Sequence, residues 1–236
     1  MKLIQSIVVI IALASICAFP AYAADHEGVA IAIVYDTSGS MNDPVKDGSG
    51  KATEKYRIAN RALVAIANRI QSFATNGVAG TPRKIQTALY IFQDGEPHAV
   101  IPFGPFDARA IKQWARGFSS PGGGTPLGDA LNVAGRVVLD SGLARKHVLI
   151  ITDGENTVGR DPADILPGLL KDASRKQAIV GVHFVAFDVD AKVFEGVKKQ
   201  GATVVGASNE AQLNTQLEFI LEKKILLEDE DPPKQK

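Results

Sequence analysis

The chain has 236 residues, 26 Lys and Arg against 26 Asp and Glu, 45% hydrophobic residues and a single cysteine. That balance excludes a strongly basic nucleic-acid binder and a disulfide-stapled scaffold, and the length is enough for one domain with a sizeable core. No Lys/Arg run is longer than two residues, which also argues against an anionic membrane surface as the main partner.

The first segment reads as a leader and not as part of the fold. Lys2 is a short positive region, the stretch from Ile7 to Phe19 is apolar, and Ala21-Tyr22-Ala23 has the small-x-small pattern of a signal-peptidase site. Residues 1–23 are therefore expected to be removed, with the mature chain starting at Ala24. The apolar run falls short of the ~20 residues that span a bilayer. Ile16 stands before Cys17, where a lipoprotein signal needs a small residue. The expectation is an exported protein, periplasmic or secreted, with no membrane insertion after cleavage. Cys17 leaves with the leader, so a core and not disulfides must stabilise the remaining 213 residues. The absence of any Asn-x-Ser/Thr sequon from those residues, together with the short positive region, favours a bacterial source.

From there, short apolar runs alternate with segments of helical period. Val29 to Tyr35 is continuously apolar, as a strand covered on both faces would be. The polar, Gly-rich stretch from Asn42 to Thr53 reads as a loop. From Glu54 to about Thr75, Ile58, Ala62, Val64, Ala65, Ile66, Ile70 and Phe73 recur as on a long amphipathic helix. Ile85 to Phe92 is the next strand, turned back by Asp94-Gly95 into Ala99 to Phe103 as a hairpin. Asp107 can cap a helix that runs to Gly117 and carries Trp114. Pro126 to Leu139 is helical, and His147 to Thr152 is another buried strand. Asp161-Pro162 opens a helix in cap-then-proline order. Ile179 to Phe187, Ala191 to Gln200, Ala202 to Val205 and Asn209 to about Leu227 continue as strand, helix, strand, helix. Residues 228–236 are charged, contain two prolines and have no apolar face, so a disordered tail is expected. The alternation implies one α/β domain over 24–227, with a mostly parallel, helix-covered sheet and a single antiparallel strand at an edge.

Five oxygen-bearing residues stand out against this frame. Asp36, Ser38 and Ser40 lie in Val34-Tyr35-Asp36-Thr37-Ser38-Gly39-Ser40-Met41; Thr125 follows three glycines; Asp153 follows the buried strand ending in Thr152. In an open parallel sheet, ligands gather outside the carboxyl ends of the strands where strand order reverses, so Asp36 and Asp153 should share one rim. Oxygen-only donors suit Mg²⁺, Mn²⁺ or Ca²⁺ and suit zinc or copper poorly. Three neutral hydroxyls and two carboxylates make a weaker, less charged cage than a dedicated calcium site, so a cation held there is expected to accept one more anionic ligand from outside.

In order, type and spacing, Asp36-Thr37-Ser38-Gly39-Ser40, Gly123-Gly124-Thr125-Pro126-Leu127 and Ile151-Thr152-Asp153-Gly154 resemble the complete metal-ion-dependent adhesion site of von Willebrand factor A domains. The Gly-Gly-Thr-Pro-Leu and Thr-Asp-Gly segments are closest to the bacterial branch of that family. The resemblance implies a Rossmann-like fold with helices on both faces of the sheet. It implies Ser38, Ser40 and Thr125 as hydroxyl ligands to the cation, most simply Mg²⁺, with Asp36 and Asp153 acting mainly through bound water. A partner protein's Asp or Glu would complete the coordination. The last helix slides on ligand binding in some relatives, which makes Asn209 to Leu227 a candidate moving element.

Other uses of the same residues fit less well. Asp36, Ser38, Ser40 and Asp47 fall at positions one, three, five and twelve of a calcium loop, but Met41 stands where that loop needs glycine and residue twelve is not Glu. An Asp-x-Asp phosphatase would need an acid at position 38. No Gly-x-Ser-x-Gly or Ser-x-x-Lys motif is present. His26, His98, His147 and His183 show no paired ligand spacing and read as surface or packed residues. The expected activity is thus binding and not catalysis. An accessory factor that helps to assemble or metallate another exported protein is the alternative, and a metal-dependent hydrolase a remote one.

Overall fold

A computed structural model describes residues 26–76 and 82–227. The expected leader and the expected acidic tail lie outside the described residues. In chain order the elements are β1 (His26–Tyr35), β2 (Pro44–Lys46), β3 (Ala52–Glu54), α1 (Lys55–Thr75), β4 (Ile85–Gln93), β5 (Glu96–Pro105) and α2 (Ala108–Gly117). They continue with α3 (Leu127–Leu139), β6 (Leu143–Thr152), α4 (Pro162–Arg175), β7 (Val180–Phe187), α5 (Glu195–Lys199), β8 (Thr203–Ala207) and α6 (Glu210–Ile220).

Six strands form the main sheet in the order β5-β4-β1-β6-β7-β8. All neighbours pair in parallel except β4 and β5, the expected hairpin at the edge. Asp94 and Gly95 both have positive φ, 54° and 79°, which is the backbone that a two-residue hairpin turn matching strand twist requires. From β1 the chain passes through α1 to β4 on one side, then through α2 and α3 to β6 on the other. The strand order therefore reverses at β1, and the carboxyl ends of β1 and β6 flank the switch point.

The continuous apolar run of β1 is divided between two cores. Val29, Ile31, Ile33 and Tyr35 point to the side covered by α1, α2 and α6, among Ile58, Leu63, Ile66, Ile111, Leu213 and Leu217. Ala30, Ala32 and Val34 point to the side covered by α3 and α4, among Ala130, Leu131, Ala134, Leu166 and Leu169. This two-sided burial is what period-two side chains on a covered parallel strand produce. The two aspartate caps also fall as expected. Asp107 accepts from the amides of Arg109 (2.8 Å) and Ala110 (3.0 Å), and Asp161 from that of Ala163 (2.7 Å) ahead of Pro162.

Three segments differ from the sequence reading. Residues 42–53, expected to be loop throughout, contain the antiparallel ribbon of β2 and β3, paired Pro44 with Glu54 and Lys46 with Ala52. Its turn is built by Asp47, which accepts from Ser49 N (2.9 Å), Ser49 Oγ (2.7 Å), Lys51 N (3.0 Å) and Thr53 Oγ1 (2.8 Å). The stretch from Ala191 to Gln200 begins as a 3-10 turn, Ala191–Phe194, before α5. The final helix changes to π geometry over Leu221–Leu226, closed by Leu227 N–H donating to Glu222 O at 3.0 Å. The buried pairs Ile220-Leu221 and Ile225-Leu226 are five residues apart, and the wider turn keeps both pairs inside. No described helix is long and apolar enough to cross a membrane.

Candidate metal centre

Asp36 leaves β1 still inside the sheet ladder, its N–H donating to Ile151 O at 3.0 Å. The carboxylate is fully buried. Its Oδ1 accepts from Ser38 N at 2.7 Å and its Oδ2 from Thr152 Oγ1 at 2.6 Å. Beyond it the chain makes a 3-10 turn over Gly39–Asn42, with Met41 N bonded to Ser38 O and Asp43 N to Ser40 O. Met41 is completely buried in the core beneath. The methionine that rules out a calcium loop therefore anchors this turn and holds the two serines above the sheet. Their hydroxyls lie 3.1 Å apart.

The Gly-rich loop is laced to this turn. Gly39 N–H donates to Gly123 O (3.1 Å), Gly122 N–H to Thr37 O (2.8 Å), and Asn42 Nδ2 to Pro121 O (3.1 Å). Thr37 Oγ1 in turn bonds both N and O of Phe92 on β4. Thr125 is buried, and Thr157 grips its backbone: Thr125 N–H donates to Thr157 Oγ1 at 2.8 Å, and Thr157 N–H to Thr125 O at 3.0 Å. A Cβ at position 124 would lie 2.5 Å from a methyl of Val158, so any larger residue there would have to displace that side chain. The space above Gly154 is bordered by both Ser40 Oγ and Thr125 Oγ1, at 3.7 and 4.0 Å from where its Cβ would be.

Asp153 completes the group from the end of β6. Ser40 Oγ donates to its Oδ1 at 2.8 Å, and Lys55 Nζ lies 3.1 Å from its Oδ2. The same Lys55 amine is 3.1 Å from Asp188 Oδ2, just past β7. The structure thus links Asp36, Ser38, Ser40 and Asp153 through direct hydrogen bonds and sets Thr125 beside them. All five come from three loops on one rim.

Burial sets the electrostatics. It pushes the Asp36 carboxyl up from 3.8 to about 6, against the hydrogen bonds from Ser38 and Thr152, with Asp153 adding to the rise. Burial likewise raises Asp153, opposed by the Ser40 hydrogen bond and by Lys55. Among the described residues no cationic side chain bonds Asp36. Two buried carboxylates beside one ammonium are short of positive charge, and hard oxygens surround them. This donor set fits a hard divalent cation. Among the described residues no group of three or more His, Cys, Asp or Glu gathers in a way that could hold a metal ion.

The sequence reading missed four supporting residues. Thr152 lies inside the Ile151-Thr152-Asp153-Gly154 motif, whose spacing does not reveal its bond to Asp36, and Thr157 and Asp188 carry no pattern that marks them. Lys55 does carry one: it lies on the stripe of Ile58, Ala59, Ala62 and Ile66 and is 5% exposed, an unusual place for lysine. Asp47, the twelfth residue of the rejected calcium loop, is committed to the ribbon turn, where the Ser49 and Thr53 hydroxyls hold it well below the ordinary carboxylate range. His147 and His183 stack side by side on β6 and β7, Nδ1 to Nε2 at 3.3 Å, as packed residues.

The model of the von Willebrand factor type A domain matches residues 31–155, a span that holds all five residues of the group. Comparison with curated proteins finds no match. Among solved structures, proximal thread matrix protein 1 of the mussel byssus, with a zinc-occupied MIDAS motif, superposes with a TM-score of 0.59 at 18% identity, over 83% of this chain and 48% of that one. The PilB minor pilin of Streptococcus sanguinis gives 0.58 at 15%, over 82% and 60%. The vWF domain of the type V pili tip protein Mfa5 of Porphyromonas gingivalis gives 0.59 at 14%, over 83% and 94%. The chain therefore spans about half of the mussel protein and three-fifths of the pilin, and at these identities the likeness is one of fold.

Proposed function

Because this chain belongs to the von Willebrand factor type A domain family, we propose that its rim cluster is a metal-ion-dependent docking site for a protein partner. Ser38, Ser40 and Thr125 would hold a divalent cation through their hydroxyl oxygens, and Asp36 and Asp153 would act mainly through bound water. When bound, the cation offers an open position to an anionic oxygen from outside. An Asp or Glu of the partner is the natural occupant.

The observation that carries this reading is the convergence itself. Three hydroxyls and two buried carboxylates from loops 89 and 28 residues apart in sequence (36 to 125, and 125 to 153) meet on one rim. The surrounding hydrogen bonds fix the backbone of each loop, so the donors are held in place before any ligand arrives. Mg²⁺ is the expected ion, with Mn²⁺ and Ca²⁺ as alternatives. The zinc-occupied motif of the mussel protein adds zinc to the panel to be tried. One hydroxyl of the group does meet a carboxylate, Ser40 on Asp153 at 2.8 Å, but it is read here as a cation ligand, and the site as binding and not as catalytic. With the leader-like first residues, the reading places the protein outside the bacterial cytoplasm, periplasmic or secreted.

The test is capture of the natural partner with and without EDTA. Capture should be lost in EDTA, restored by Mg²⁺, and absent in Asp36→Ala and Thr125→Ala while the circular dichroism of both variants stays that of the wild type. Capture that is indifferent to EDTA and to both substitutions sinks the proposal.

A further inference from the structure

We propose that Lys55 sets the net charge of the rim site and so makes its hold on a divalent cation depend on an outside carboxylate. The inference rests on the docking reading above and goes to how that site is regulated.

Lys55 is the first residue of α1, and its own N–H is pinned to Asp43 O at 3.0 Å. The side chain runs down into the rim, 5% exposed, and ends 3.1 Å from Asp153 Oδ2 and 3.1 Å from Asp188 Oδ2. Asp153 is thereby divided: Oδ1 faces the hydroxyl cluster and accepts from Ser40, while Oδ2 faces Lys55. Asp36 and Asp153 contribute two negative charges, and Lys55 returns one positive charge. Asp188 is 38% exposed on its side chain and is screened by water, so it weighs less.

A divalent cation among these groups is left with up to one positive charge unbalanced, Asp188 offsetting only part of the Lys55 charge, and an outside carboxylate supplies the balance. The ammonium and the cation repel across a shared aspartate in a region that excludes most water, where such repulsion is strong. An arriving carboxylate relieves it. Without Lys55, the two aspartates would hold the cation by themselves and leave less attraction for a partner. A purely structural ion pair tying α1 to the sheet would behave in the opposite sense, because its loss would loosen Asp153 and weaken cation binding.

The experiment is titration of the full chain with Mn²⁺ alone, following free ion by electron paramagnetic resonance, with thermal melts to confirm folding. Lys55→Met and Lys55→Gln should each bind Mn²⁺ at least tenfold tighter than wild type, and Lys55→Arg should stay within threefold. Lys55→Gln retains a hydrogen-bond donor for Asp153 and carries the test if Lys55→Met does not fold. If Asp36→Ala abolishes binding but the neutral Lys55 variants bind no tighter, or Lys55→Arg tightens as much as they do, the inference is overturned and the docking site stands. If binding survives Asp36→Ala, or wild type and Lys55 variants bind nothing, the docking reading itself fails and takes this inference with it.

Discussion

Replacing Asp36 by Asn should make the ion-free protein more stable near neutral pH while abolishing ion binding. The carboxylate is fully buried, and burial is the largest influence on it, raising it from 3.8 to about 6. The folded value lies above the unfolded one, so folding disfavours the ionised form. The corresponding stability is fully present below about pH 4 and is lost as pH rises through about 6. Two units at about 1.4 kcal/mol each amount to roughly 3 kcal/mol. For a domain of this size that is roughly 6–12 °C in Tm. Asparagine keeps the geometry: its oxygen can accept from Ser38 N, and its amide can donate to Thr152 Oγ1, whose proton is free to turn to Gly154 O at 3.2 Å. Melts of both proteins in EDTA from pH 4 to 7.5 provide the assay. The variant should melt higher at pH 7.5, and the gap should close between pH 6 and 4. Saturating Mg²⁺ should raise the melting point of the wild type alone. A variant that melts at or below wild type at pH 7.5 in EDTA would refute the argument that the buried charge costs stability.

Two further substitutions address the supporting structure. Thr157→Val keeps shape but removes the acceptor of the Thr125 N–H, so it should cost about 1–2 kcal/mol in urea unfolding. It should also weaken Mn²⁺ binding measurably in the same titration, because the loop bearing the Thr125 hydroxyl is no longer held. Tyr35→Phe removes the hydroxyl that lies 2.7 Å from Asn60 Oδ1 and 3.1 Å from Tyr56 O. Tyr56 O keeps its bond within α1, so only the half-buried Asn60 Oδ1 loses a donor, and the change should cost about 1 kcal/mol, with Mn²⁺ affinity unchanged.

How far the sequence could be read followed how local each signal was. The parallel strands announced themselves as β-branched apolar runs, the hairpin as Asp94-Gly95, and the helix starts as Asp107 and Asp161, because each depends on neighbours within a few residues. The ribbon of β2 and β3 was hidden because it is polar and held by one aspartate's hydrogen bonds, with only Val45 at its buried centre. The π turn was hidden for a related reason: its five-residue spacing of apolar pairs is not the spacing of an ordinary helix.

The sequence by itself determined the α/β alternation, the edge hairpin and the five oxygen-bearing residues, since strand, turn and cap chemistry are written in short stretches. Only the tertiary structure decided what surrounds those five residues. The Lys55–Asp153 contact joins residues 98 apart, and Thr157 reaches Thr125 across 32. Such pairs have no spacing rule, because they exist only where the sheet's strand order brings separate loops to one rim. A lysine on an apolar stripe reads as a misplaced surface residue until the fold sets two aspartates within 3.1 Å of its amine.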